Sequence, residues 1–166
     1  MSCSLDLNWD SINWPQRYMI SSLELNYILI HNKRLFPSDN HWTLQDSSDF
    51  IYWLDKHSTI VREDIFLYRG TWDTDTPYWS ANEEDKINFN IISTSKKELI
   101  AKEFSRPPFG YVHTLHLHKG CKILDLKEYY EEGYSIREEE VIICPGHRFE
   151  LIYRRGSNKH WNVFYS

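Results

Sequence analysis

Near residue 64 the texture of this chain changes, and that change limits its fold more than any other feature. Before it, Ile20, Leu23, Tyr27 and Ile30 recur at the 3.6-residue period of an amphipathic helix. Ser47 stands where it would cap a second helix carrying Phe50, Ile51 and Leu54. After it come short strand-like segments separated by turns. Ile65-Phe66-Leu67-Tyr68 runs into Arg69-Gly70, and Ile87, Phe89 and Ile91 alternate with polar residues ahead of Ser93-Thr94-Ser95. A short helix is expected over 96–104, with Ser95 and Glu98 at capping-box spacing. Val112, Leu115 and Leu117 mark a further strand, 121–126 another after Lys119-Gly120, and 127–137 a polar surface loop. The segments 141–144, 149–153 and 161–165 complete the strands, separated by Pro145-Gly146 and Gly156-Ser157-Asn158. Helices first and strands afterwards indicate an α+β fold. No repeat or low-complexity linker divides the 166 residues, so one domain is expected, with a helical lobe over 1–62 and a β-rich core over 63–166.

Bulk properties exclude several classes. A net charge of −5 offers no field to recruit nucleic acid or an anionic membrane, and the cluster from Arg154 to Lys159 is too short to reverse that. No apolar run approaches the ~20 residues of a membrane span. The three cysteines, Cys3, Cys121 and Cys144, have no C-x-x-C spacing and read as free thiols of a reducing compartment. The first residues lack the basic and apolar regions of a signal peptide, so a cytosolic site of action is expected, in the cell that makes the protein or in a host. Aromatic residues make up 16% of the chain, enough to line a groove as well as a core.

Three polar marks lie at strand edges. An Arg at position 69 can grip a phosphate bidentately, and Gly70 lets a ligand approach the backbone. In Ser93-Thr94-Ser95, strand-end and capping duties account for Thr94 and Ser95 and leave Ser93 without a structural task. In Glu138-Glu139-Glu140, an extended backbone would turn Glu138 and Glu140 to one face, their Cα atoms roughly 6.5–7 Å apart. Like charges on a shared face oppose one another, and that cost points to a use. His113, His116 and His118 are also close, the last two on one strand face. With no Cys or Asp adjacent to complete a zinc set, they read as a half-exposed strand, and no metal is expected.

Taken together, Arg69 after an aromatic strand, Ser93-Thr94-Ser95 after a second strand and Glu138-x-Glu140 before Val141-Ile142-Ile143 resemble the arginine–serine–glutamate clade of mono-ADP-ribosyltransferases, which includes bacterial toxins and vertebrate ecto-enzymes. The poly-ADP-ribosylating clade carries His and Tyr marks instead, which this chain lacks. The resemblance implies a helical lobe packed on a mainly antiparallel split β-sandwich, with NAD as the donor substrate and no metal. It also implies an acceptor protein and gives the chain the character of a toxin-like effector; a monomer is expected. By the same resemblance, Glu140 stabilises the oxocarbenium-like ribose, Ser93 positions Glu140, and Arg69 holds the pyrophosphate. Gly70 binds the nicotinamide amide through its backbone, Thr94 and Ser95 complete the NAD site, and Phe104, with Tyr68 or Tyr134, packs on the nicotinamide half. The 127–139 loop, with Tyr129, Tyr130 and Tyr134, meets the acceptor, and Glu138 at the first position of Glu-x-Glu implies an arginine side chain. Cys144 departs from the apolar or Pro residue usual in the family. NAD glycohydrolysis with water as acceptor needs the same residues, and a binding module that has lost turnover is the non-enzymatic alternative.

Overall fold

The structure, a computed structural model, describes residues 13–31, 42–78, 87–129 and 139–165. The chain forms two compact units, Met1–Lys56 and His57–Ser166.

The first unit contains α1 (Trp14–His31) and most of α2 (Leu44–His57). Tyr18, Leu25 and Ile28 of α1 are buried, as are Trp42, Phe50 and Leu54. The aromatic rings interlock: Tyr18 stacks on Phe50 at 5.9 Å and Trp42 meets Phe50 edge-on at 5.4 Å. Arg17 is buried among them, its guanidinium 4.4 Å over the Trp14 ring and 3.5 Å from Asp46. The start of α2 departs from expectation. Thr43 caps it, accepting the Asp46 N–H at 3.0 Å while Asp46 accepts the Thr43 N–H at 3.2 Å. This reciprocal pair satisfies two end donors. Ser47 lies one turn inside the helix and donates to the Thr43 carbonyl.

In the second unit the strands are β1 (Thr59–Ile60), β2 (Ile65–Thr71), β3 (Ile87–Asn88), β4 (Ile92–Ser95), β5 (Tyr111–Leu117), β6 (Lys122–Asp125), β7 (Glu140–Ile143), β8 (His147–Arg155) and β9 (Asn158–Tyr165). They pair in the order β1-β6-β7-β4-β2-β5-β9-β8-β3, antiparallel except for β5 against β9. The α+β class is the one that the order of elements implies, and the mainly antiparallel pairing is the one that the resemblance implies. Leu67, Ile92, Leu115, Leu117, Val141, Ile143, Trp161 and Val163 form its core. Gly156, at φ +61°, turns β8 into β9 where a side chain would be strained. No helix among the described residues is long and apolar enough to cross a membrane.

Two local expectations differ from the fold. Ile87 to Ile91 is not one alternating strand: the Asn88 side chain accepts the Asn90 N–H at 3.3 Å and donates to the Asn90 carbonyl at 3.1 Å. That local turn separates β3, which pairs with β8, from β4, which pairs with β2 and β7. The helix after β4, α3 (Glu98–Phe104), has Lys97 at its N-cap and no side-chain cap. Ser95 accepts the Lys97 N–H instead, at 3.0 Å, so the Ser95/Glu98 capping box does not form.

Candidate functional site

Strand β4 lies between β2 and β7, and this placement assembles the site. Ser95 faces Tyr68 on one side and Glu140 on the other, while Ser93 faces Ile142. Ser93 and Glu140 are therefore diagonal neighbours on one sheet face, and the Ser93 hydroxyl donates to Glu140 Oε2. On the other side of β4, Arg69 Nη1 donates to the Ser93 carbonyl at 2.8 Å. Ser93, unassigned by local structure, thus touches both Arg69 and Glu140. Thr94 is buried and its hydroxyl donates to the Val141 carbonyl at 2.7 Å, fastening β4 to β7.

These residues line a cleft of about 310 Å³ with Tyr68, Gly70, Ser95 and Phe104. Thr71, Trp72, Asp73, Thr74, Ile100 and Ala101 complete the lining and were not singled out in the sequence. The signal for the first four is their continuity with Arg69: β2 does not close there but runs on to Thr71. Half-exposed Trp72 carries the Arg106 guanidinium 4.2 Å over its ring. Phe104 is exposed at the end of α3. Gly70 has a packing reason besides ligand access: an added Cβ would come within 1.8 Å of the Ala101 carbonyl oxygen. The missing side chain allows α3 to lie against β2.

The Glu-x-Glu geometry needs correction. Strand β7 begins at Glu140, and Glu139 has φ +44°, so the segment is not extended through Glu139. The i, i+2 same-face argument does not apply across it. Glu139 is held from outside: its carbonyl accepts the Lys96 N–H at 3.2 Å and its carboxylate pairs with Lys97 at 3.5 Å. Lys96 in turn pairs with Asp125. Glu138, Tyr130 and Tyr134 lie outside the described residues. Tyr129 ends a single 3₁₀ turn after β6 and is partly buried.

Behind the cleft, His113 is wholly buried, on the opposite face of the half-exposed strand β5 from His116 and His118. It sits opposite Arg69 on β5. Trp161 Nε1–H donates to its Nδ1 at 3.0 Å, so the ring proton resides on Nε2 and is donated to Thr71 Oγ1 at 2.8 Å. The Thr71 hydroxyl then donates to the Thr74 carbonyl at 2.7 Å. This chain fixes the Thr71–Thr74 wall. Burial, then the charges of Arg69 and Lys159, lower the His113 pKa to about 3, so the ring is neutral. His116 and His118 face solvent and meet Asp64, which sequence proximity did not place beside them: His116 Nε2 is 3.0 Å from its carboxylate. Cys121 and Cys144 are buried and not joined in a disulfide; burial pushes the Cys121 thiol up to about 12.

Among known proteins, no family model and no curated protein sequence matches this chain. Solved structures do. A mutant of the eukaryotic mono-ADP-ribosyltransferase ART2.2 in complex with NAD superposes with a TM-score of 0.61 at 14% identity, covering 96% of this chain and 70% of that one. Exoenzyme S from Pseudomonas aeruginosa, in complex with human 14-3-3 protein beta and bound to carba-NAD, superposes at 0.60 with 14% identity, covering 92% and 70%. BECa, the ADP-ribosylating toxin of a C. perfringens binary enterotoxin, solved with NADH, gives 0.58 at 16% identity; this chain covers 93% of itself and spans 44% of BECa. At such identities the likeness speaks to architecture, and the chain has the ADP-ribosyltransferase fold.

Proposed function

We propose that this protein transfers ADP-ribose from NAD to a protein acceptor, with an arginine side chain as the nucleophile. The observation that carries the reading is the convergence of Arg69, Ser93 and Glu140 in one cleft, with Ser93 bonded to both of the others. The neighbours solved with NAD, carba-NAD or NADH support the choice of donor.

The chemistry follows from where charge develops. Breaking the bond between ribose C1′ and nicotinamide leaves positive charge on the ribose as the pair of electrons departs with nicotinamide. Glu140 at the cleft mouth stabilises that charge more in the transition state than in the ground state. Ser93 holds the carboxylate in place by donating to Oε2, and the carboxylate so positioned meets the ribose hydroxyl. Arg69 meets the pyrophosphate, oriented by its bond to the Ser93 carbonyl. Gly70 binds the nicotinamide amide through its backbone, Thr94 and Ser95 shape the floor, and Tyr68 and Phe104 confine the ring. The acceptor guanidine nitrogen attacks C1′ and loses a proton. Glu138, by analogy with the family, binds the guanidinium, and Tyr129, Tyr130 and Tyr134 meet the acceptor protein.

The test incubates purified protein with labelled NAD and a cell lysate, comparing wild type with Glu140→Ala. Label on a discrete band from wild type only is expected, removed by treatment that cleaves arginine-linked ADP-ribose. Nicotinamide release without a labelled band assigns water as the acceptor. Absence of NAD turnover by wild type overturns the reading in favour of a binding module. Glu138→Gln tests the acceptor: modification that continues unchanged on other side chains removes arginine.

A further inference from the structure

At the far end of β2 from Arg69, three metal-ligating atoms converge. Asp64, His116 and His118 each offer one ligand atom, and these atoms all lie within 4.8 Å of one another. The carboxylate oxygen is 3.0 Å from the first imidazole and 3.5 Å from the second. Ligand atoms about 2.0–2.2 Å from one tetrahedral zinc ion stand roughly 3.3–3.5 Å apart, so small adjustments bring all three onto one ion.

We propose that Asp64, His116 and His118 form a binding site for a divalent transition-metal ion of the zinc class. Proton bookkeeping supports it. His118 Nε2 is 2.8 Å from Asn162 Oδ1, which only accepts, so the neutral ring carries its proton on Nε2. Its Nδ1 then presents a lone pair toward Asp64 Oδ2, itself an acceptor, at 3.5 Å. Two acceptors facing each other are satisfied by a shared positive centre, a proton or a metal ion. The outward atoms are already held, as metal ligands require: His118 by Asn162, and Asp64 Oδ1 by the Lys119 N–H at 2.8 Å. Two imidazoles and a carboxylate suit zinc, nickel or copper rather than magnesium or calcium.

The His116 and His118 rings stack at 4.2 Å, flanked by Phe66 at 4.7 Å and Phe164 at 4.4 Å, and these aromatic walls orient the ligands. The side chains of His116, His118 and Asp64 are 28%, 29% and 45% exposed, so an ion enters from solvent and keeps water in the remaining position. Arg69 lies five residue steps along the chain from Asp64, roughly 16 Å of extended backbone. The ion clamps the turn before β2 to the end of β5 and takes no part in the chemistry of the cleft.

The test uses the full chain freed of metal with a chelator. Zinc is titrated calorimetrically, and cobalt is followed by its visible absorption, which reports imidazole and carboxylate ligation directly. One ion per chain is expected, raising the melting temperature by roughly 5–10 °C once zinc exceeds its dissociation constant 100-fold. Asp64→Asn and His118→Ala should each weaken binding at least 100-fold. Asn162→Ala, which leaves every ligand in place, should weaken it about 10- to 100-fold. Absence of saturable binding by the wild type overturns the proposal, as does binding that survives both ligand substitutions. Circular dichroism checks the variants; if one misfolds, the wild-type cobalt spectrum and Asn162→Ala decide.

Discussion

His113 and His116 are three residues apart on β5, yet one is sealed behind the cleft while the other shares a solvent-facing carboxylate. Their environments set their chemistry. Around His113, burial and the charges of Arg69 and Lys159 oppose protonation, and Trp161 and Thr71 satisfy both ring nitrogens with a defined direction. Around His116, water screens the pair with Asp64 and the site is open to an exchangeable ion. The paired strands β2 and β5 therefore carry a preorganised polar wall at one end and an accessible ligand cluster at the other. The first braces the wall of the cleft, and the second is open to solvent.

The strongest challenge to this separation is Glu140→Gln. It should lower NAD turnover about 10²- to 10³-fold, the scale for losing one preorganised electrostatic group, while zinc affinity is unchanged. Parallel loss of both would mean the two ends of the strands are one functional unit. Next, Gly70→Ala should destabilise the cleft end by about 3 kcal/mol, because its Cβ meets the Ala101 carbonyl and α3 has to shift. Urea denaturation reads this, and a change of less than 1 kcal/mol would show that α3 yields easily.

His113→Ala should cost about 2–3 kcal/mol, since the Trp161 N–H and the Thr71 hydroxyl lose buried partners. His116→Ala in metal-free protein should fall within about 0.5 kcal/mol of wild type, as exposed polar positions do. Equal costs would erase the contrast between them.

Acidity sharpens the same contrast. The folded pKa of His113 is lowered to about 3 and that of buried His147 to about 4, both below the unfolded value near 6.5. Below that value the unfolded chain binds protons that the folded chain refuses. Their contribution is complete above about pH 6.5 and declines as pH falls toward 4. Melting curves should show a loss on the order of 5 kcal/mol across that window, with a shallower slope in His113→Gln. An unchanged slope would mean His113 does not titrate on unfolding as its burial implies.

Much of this was legible along the chain. The helical period before residue 64 became α1 and α2, and the turns at Pro145-Gly146 and Gly156-Ser157 separate β7, β8 and β9 as expected. Local competition obscured the rest. Thr43, not Ser47, caps α2 because Asp46 lies three residues on and completes a reciprocal pair. Asn88 draws its own backbone into a turn that the alternation of Ile87, Phe89 and Ile91 conceals. Glu139 leaves the extended region beside two lysines that only the β4–α3 corner brings to it.

By itself, then, the amino-acid order determined the elements and the three polar marks, because hydrophobic period and turn chemistry act over a few residues. Tertiary structure alone decided which marks meet. Ser93 reaches Glu140 across 47 positions, and Asp64 reaches His116 across 52. Such partners are chosen by which strands lie side by side and in what register, and a pairing set by the burial of a whole sheet leaves no trace in the spacing of any two residues.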